Sequence, residues 1–131
     1  MWEANEAFTS FSVSDLRKAK EFYTKSLSLK VDNEDMGLNL HLPGGGRLFL
    51  YSKDNHQPAT FTVLNFVVDN IDDAVEELKN RGVQFERYEG LPTDEKGILR
   101  GRSKNQGPDI AWFKDPAGNI LSVMGGDNEK T

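Results

Sequence analysis

Phe11, Val13, Leu16, Ala19 and Tyr23 recur 55 residues later as Phe66, Val68, Ile71, Ala74 and Leu78. A strand-then-helix pattern repeated in register means that the chain is assembled from two similar supersecondary units. The hairpins that follow match at an offset of 72, which sets Leu40 on Trp112, Phe49 on Leu121 and Tyr51 on Val123. The change of offset calls for an insertion, which falls in Leu91–Gly107.

In the first unit, Ala7–Val13 alternates and reads as a strand. Ser14 and Asp15 are N-cap candidates for an amphipathic helix of about three to four turns carrying Leu16, Ala19, Phe22, Tyr23 and Leu27. An extended stretch begins at Lys30–Val31. Gly37–Leu42 and Arg47–Tyr51 are strands joined by the Pro43–Gly46 turn. Asp54–Ala59 is a polar linker. In the second unit, Thr62–Val68 is a strand, and Asn70 caps a helix with Ile71, Ala74, Val75 and Leu78. Gly82 stands at its C′ position, and Val83–Tyr88 is the next strand. In the polar insertion, Ile98–Leu99 can seed a strand. Ile110–Lys114 and Asn119–Met124 form a last hairpin around Asp115–Gly118. The tail after Gly125 reads as frayed. The predicted fold class is therefore α+β. Two βαβββ modules, at about 6–53 and 61–125, form a cupped mixed β-sheet with helices on the convex face, within one domain over 1–131.

A chain of 131 residues suits one domain with a real core. It has no cysteine, which removes disulfides and thiol nucleophiles and fits a cytoplasmic protein. No 18-residue apolar run is present, so no membrane-spanning helix is expected. The start, Met1–Glu6, lacks the pattern of a signal peptide. The net charge of −5 argues against a nucleic-acid surface. It favours a neutral or cationic ligand, or serves solubility alone.

Strand alternation sorts the side chains into two faces. The first is Phe11, Val13, Leu38, Leu40, Phe49, Tyr51, Leu64, Phe66, Val68, Ile110, Trp112, Leu121 and Val123; it is expected under the helices. The second contains Phe8, Ser10, Ser12, Asn39, His41, Leu48, Leu50, Val63, Asn65, Val67, Ala111, Phe113, Ile120 and Ser122. Apolar residues mixed with a few hydroxyls, amides and one imidazole suit a ligand pocket. A face covered by loops or by a second subunit is the alternative. Its candidate ligand-binding residues are Phe8, Ser10, Ser12, Asn39, His41, Leu48, Leu50, Val63, Asn65, Phe113 and Ser122. Phe8 and Phe113 are rings on which a flat ligand can stack.

Four segments carry a family resemblance: Phe11–Leu16 with Glu21, Phe22 and Tyr23; Phe66–Ala74; Leu78–Gly82; and Trp112–Leu121. In this order the chain resembles the vicinal oxygen chelate superfamily of glyoxalases, extradiol dioxygenases and fosfomycin- and bleomycin-resistance proteins. The resemblance implies a divalent metal held by His, Gln or Glu at four strand positions, here Phe8, Leu50, Val63 and Ser122. Three hydrocarbon side chains and one hydroxyl are not a ligand set for Mg, Mn, Fe or Zn. A shift of one residue along the strands supplies none either. The resemblance then implies the metal-free branch, whose drug-binding members are commonly dimers.

Other residues have ordinary roles. Alternation sets no carboxylate beside His41, so hydrogen bonding outranks general-base catalysis there. His56 is expected to be solvated, Trp112 to lie under a helix, and Arg100 and Arg102 to be solvated or to meet an anionic ligand group. No Walker or dinucleotide fingerprint occurs. The expected function is metal-independent binding of an aromatic or cationic small molecule by a cytoplasmic homodimer without cofactor, leaning away from an enzyme. Alternatives are a lyase, isomerase or dioxygenase relative with a displaced metal site, using His41 with Glu86 or Asp109, and a dimeric interaction module with a filled cavity.

Overall fold

Asp15 and Asn70 start the two helices in the same way, each from extended backbone with its side-chain oxygen accepting a backbone N–H. Lys18 N–H donates to Asp15 at 3.1 Å and Asp73 N–H to Asn70 at 3.0 Å, which satisfies donors that a helix start leaves orphaned. The computed structural model describes residues 2–105 and 107–126. The chain divides into two compact units, Met1–Pro58 and Ala59–Thr131, each with one sheet.

Unit 1 runs β1 (Thr9–Val13), α1 (Leu16–Glu21), β2 (Lys30–Glu34), β3 (Gly37–His41) and β4 (Arg47–Ser52). The helix continues beyond Glu21 as a wider π-helical stretch, Phe22–Ser26. The strand order is β1-β4-β3-β2, with β1 parallel to β4 and the other pairs antiparallel. Leu38 stands opposite Leu50 and Leu40 opposite Leu48, while Phe11 stands opposite Leu50 on the other flank. Leu38, Leu40, Leu48 and Leu50 are at most 4% exposed, as are Val13, Ala19 and Tyr23. Ala19 comes from α1 and Tyr23 from its continuation, so this is the helix-covered face. Gly37 permits the close strand approach: a Cβ there would stand 2.1 Å from the carbonyl oxygen of Leu50.

This register corrects the expected faces. Leu48 and Leu50 lie beneath the helix, whereas Phe49, opposite Asn39, and Tyr51, opposite Ser12, lie on the other face. Every residue of Leu48–Tyr51 is apolar, so hydropathy gives that strand no phase. Hairpin geometry fixes it, and a one-residue slip exchanges all its faces.

Unit 2 runs β5 (Thr62–Val68), α2 (Ile71–Asn80), β6 (Phe85–Glu86), β7 (Leu99–Arg100), β8 (Asp109–Lys114) and β9 (Ile120–Gly125). Its order is β5-β9-β8-β6, with β7 added on β8. Without β7 this is the topology of unit 1 again. Ala111 pairs with Val123 as Leu38 pairs with Leu50, so the hairpins correspond at one residue more than the expected offset. Ala111 and Phe113 are accordingly fully buried, and Ile110 and Trp112 occupy the opposite face. Gly82, at φ +92°, closes α2 at the predicted C′ position. Its N–H bonds to the Lys79 carbonyl at 3.0 Å, and Val83 N–H bonds to the Leu78 carbonyl at 3.0 Å.

The insertion is tied down by charge. The Asp94 carboxylate accepts the N–H groups of Lys96 and Ile98 at 2.9 Å each, and Arg100 Nε at 2.8 Å. The Arg100 guanidinium also forks onto Asp72 of α2 at 2.7 and 3.1 Å and stands 3.6 Å from Asp109. Arg87 donates to the carbonyls of Asp94 at 2.7 Å and Glu95 at 2.8 Å. Ile98, the expected strand seed, is fully buried. Arg100 is therefore a structural ion-pair centre. Beyond Gly126, the tail expected to fray lies outside the described residues.

Candidate functional site

Each sheet has one face turned away from its helix, and the polar candidates gather there. In unit 1 this face carries Ser10 and Ser12 from β1, Asn39 and His41 from β3, and Phe49 and Tyr51 from β4. The Phe49 and Tyr51 rings stack at 6.3 Å between centroids and 20° between planes. Aromatic rings lie beside hydroxyl, amide and imidazole groups, which is the usual composition of a small-molecule surface. Phe8 precedes β1 and is 62% exposed.

His41 has an acidic partner. Its Nε2 lies 2.7 Å from Asp32 Oδ2, because β2 pairs with β3 so that Asp32 stands opposite Asn39, one diagonal from His41. The imidazole beside Asp32 holds that carboxyl below its ordinary range. A sequence signal for this existed: Glu34 pairs with Gly37 across only Asp35 and Met36, a tight hairpin ending in glycine. His56 is also engaged: its Nδ1 lies 2.6 Å from the Ser12 hydroxyl, which corrects the expectation of a solvated ring.

In unit 2 the corresponding face carries Thr62, Asn65 and Val67 from β5, Trp112 from β8, and Ser122 and Met124 from β9. The Ser122 hydroxyl donates to Asn65 Oδ1, and Trp112 Nε1–H donates to the Thr62 hydroxyl at 3.1 Å. Tyr88 meets Trp112 edge-on at 5.8 Å. Burial, with Glu86 second, pushes its phenol above the ordinary value. The Tyr88 hydroxyl has no hydrogen-bond partner among the described residues. Val63 sits at a register irregularity between Thr62 and Leu64. Leu48, Leu50 and Phe113, expected to face a ligand, are fully buried on the opposite faces of their sheets. Phe49, Tyr51 and Trp112, expected beneath helices, are on the open ones.

The register also moves one of the four strand positions at which the family resemblance implies a metal ligand. Ser10 faces Phe49 as Asn65 faces Ser122, so the position equivalent to Ser122 is Phe49 and not Leu50. The four positions then hold Phe8, Phe49, Val63 and Ser122. These residues do not fit a divalent metal, since a benzyl ring coordinates such an ion no better than an isobutyl group. Among the described residues no group of three or more His, Cys, Asp or Glu is arranged to hold an ion. No described helix is long and apolar enough to cross a membrane.

Comparisons with known proteins bear on the fold and family. The model of the Glyoxalase/Bleomycin resistance protein/Dioxygenase superfamily matches residues 7–123. A comparison with curated proteins finds no match. Among solved structures, the genomically encoded fosfomycin resistance protein FosX from Listeria monocytogenes is 16% identical, with a TM-score of 0.68 over 95% of each chain. TnmS3, an antibiotic binding protein from Streptomyces sp. CB03234, is 22% identical, with a TM-score of 0.64 over 96% of this chain and all of that one. A glyoxalase family protein from Enterococcus faecalis is 21% identical, with a TM-score of 0.62 over 93% of this chain and 96% of that one.

Proposed function

The chain belongs to the glyoxalase/bleomycin resistance/dioxygenase superfamily, and we propose that within it this protein is a metal-independent binder of a small flat molecule. The reading rests on one observation: Phe49 stacks on Tyr51 on the face of unit 1 turned away from its helix, at a strand position where the resemblance to the superfamily's enzymes implies a metal ligand. An aromatic pair where a metal ligand is expected suits stacking on a planar ligand. Ser10, Ser12, Asn39 and His41 on the same sheet face are donors and acceptors that can orient it, and Phe8 flanks the strand that carries the serines. Val63, Asn65 and Ser122 belong to the corresponding face of unit 2. The acidity of the chain favours a neutral or cationic ligand. Sequestration of a drug is the biological role that this chemistry suits. In this reading the protein works as a cytoplasmic homodimer, and sedimentation at micromolar concentration tests the assembly.

Thermal shift against a panel of planar aromatic and cationic antibiotics tests the binding. A ligand at a hundredfold excess over its Kd adds about 2.7 kcal/mol of apparent stability, which is several degrees of melting temperature. Phe49→Ala is expected to abolish the shift. A panel without a single stabilising compound sinks the reading.

The His41–Asp32 pair favours a second reading, as an enzyme that moves a proton. Nε2 held on a carboxylate fixes the orientation of the imidazole, as a general base needs. Turnover of an isomerase or lyase substrate that His41→Gln removes would select it over binding alone.

A further inference from the structure

We propose that Tyr88 sets the ligand class: its phenol O–H is the donor for an acceptor oxygen, a carbonyl above all, on a flat molecule held over Trp112 on the open face of unit 2. This rests on the reading of the protein as a binder of a flat molecule and narrows that reading. Trp112 lies between Glu86 on β6 and Ser122 on β9, and both have partners. Glu86 stands 3.9 Å from Lys114, and the Ser122 hydroxyl donates to Asn65 Oδ1. Trp112 Nε1–H is itself taken by the Thr62 hydroxyl at 3.1 Å. Thr62 borders the register irregularity of β5, and such bulges re-aim side chains, often beside sites. The half-buried indole is thus oriented with its N–H satisfied, and its ring is left as an apolar platform.

Tyr88 differs. Its ring meets the indole edge-on at 5.8 Å and 79°, yet its hydroxyl is buried with no hydrogen-bond partner among the described residues. The residue as a whole is half-buried, so the oxygen is shielded while other atoms of Tyr88 are accessible. Its backbone is held from both sides. Leu91 N–H donates to the Tyr88 carbonyl at 3.0 Å, and the preceding Arg87 donates to the carbonyls of Asp94 and Glu95. A buried donor without an acceptor costs stability, and a phenylalanine would make the same contact with Trp112 without that cost. The fold gains nothing from the oxygen; a ligand acceptor supplies the missing bond. Burial, with Glu86 second, raises the phenol above its ordinary pKa, so at neutral pH the group is a donor. A shielded donor discriminates strongly, because a ligand without an acceptor leaves it unpaired.

The test is titration of the full-length, ¹⁵N-labelled protein, followed at the indole N–H resonance of Trp112. The chain has two tryptophans, and Trp2→Phe assigns the remaining signal. Fluorenone is compared with fluorene and xanthone with xanthene, each pair being one ring system with and without the carbonyl. The carbonyl compounds are expected to move the Trp112 resonance and to bind at least about tenfold more tightly than their partners. Tyr88→Phe should abolish that preference and leave the carbonyl-free compounds within about twofold of their wild-type affinity. Without ligand the variant should melt no lower than the wild type, since it loses an unpaired buried group. A hydroxyl with a purely structural role gives the opposite pair of results, a lower melting temperature and an undiminished preference. Equal affinity within each pair overturns the proposal, as do absence of binding, a preference that survives Tyr88→Phe, and a variant that melts well below the wild type. Failure of the paired probes alone removes Tyr88 from the binding reading; failure of the antibiotic panel as well removes that reading itself.

Discussion

The difference between Leu50 and Tyr51 is one step along a strand, and it decides which side chains build the core and which are available to a ligand. Leu50 is fully buried and Tyr51 is 36% exposed. Leu50→Ala should therefore cost about 2–5 kcal/mol in urea unfolding, through lost burial and the cavity left behind. Tyr51→Ala should cost under about 1 kcal/mol, mostly from the lost contact with Phe49. The reverse ranking would mean that β4 has the opposite phase. Most residue-level signals were legible in the sequence: the Asn70 and Asp15 caps, the C′ glycine, and the polar candidates Ser10, Ser12, Asn39, His41 and Asn65, which lie on the faces turned away from the helices; Ser122 is on that side of its sheet but fully buried, with its hydroxyl on Asn65. Unbroken apolar runs were not legible. Leu48–Tyr51 and Ile110–Phe113 offer no polar residue to mark which side faces water, so the faces of β4 and β8 were exchanged. The carboxylate beside His41 was missed because it depends on which residues two strands bring opposite each other, and short-range alternation does not encode that.

At the scale of elements, the insertion and α2 are joined through Asp72, Asp94, Asp109, Lys96 and Arg100. Their polarity made the segment look like an unstructured loop, since a charged residue in an ion pair and one in water look the same in sequence. Hydrogen bonding to Arg100, with Lys96 second, lowers the Asp72 carboxyl from its ordinary 3.8 to about 2. A carboxyl whose pKa is lower in the folded protein stabilises the fold above the unfolded value and ceases to do so as pH falls through the folded one. The contribution of Asp72 should thus be complete at pH 6 and fade between about pH 4 and 2. Its side chain is 36% exposed, so solvent screening reduces the contribution to roughly 1–2 kcal/mol. Unfolding of the wild-type protein and of Asp72→Asn should show that gap at pH 6 and a much smaller one near pH 2. A gap that is independent of pH would show that Asp72 acts through packing and not through charge.

For the whole molecule, the repeat read at the outset is physical: two units share one strand order and differ by the insertion that carries β7. The fold therefore follows from the sequence, while the chemistry open to each unit follows from which residues stand at the strand positions where the family resemblance implies metal ligands. With Phe8, Phe49, Val63 and Ser122 there, the purified protein should retain well under one equivalent of metal after incubation with Zn, Mn, Ni or Fe(II) and desalting, as measured by elemental analysis. A stoichiometric ion would show that other residues have taken over the ligand role.

The parallel pairing of first and last strand within each unit also sets an order of assembly. β1 has no hydrogen-bonded neighbour until β4 is made, and β5 has none until β9 arrives. As the chain leaves the ribosome, unit 1 can close once Ser52 has emerged, whereas unit 2 must wait for Gly125. Through that interval β5 has an unpaired edge, and unpaired edges invite pairing with other nascent chains. Synthesis thus exposes unit 2 to misassembly for longer than unit 1, and the delay is lengthened by the insertion that carries β7.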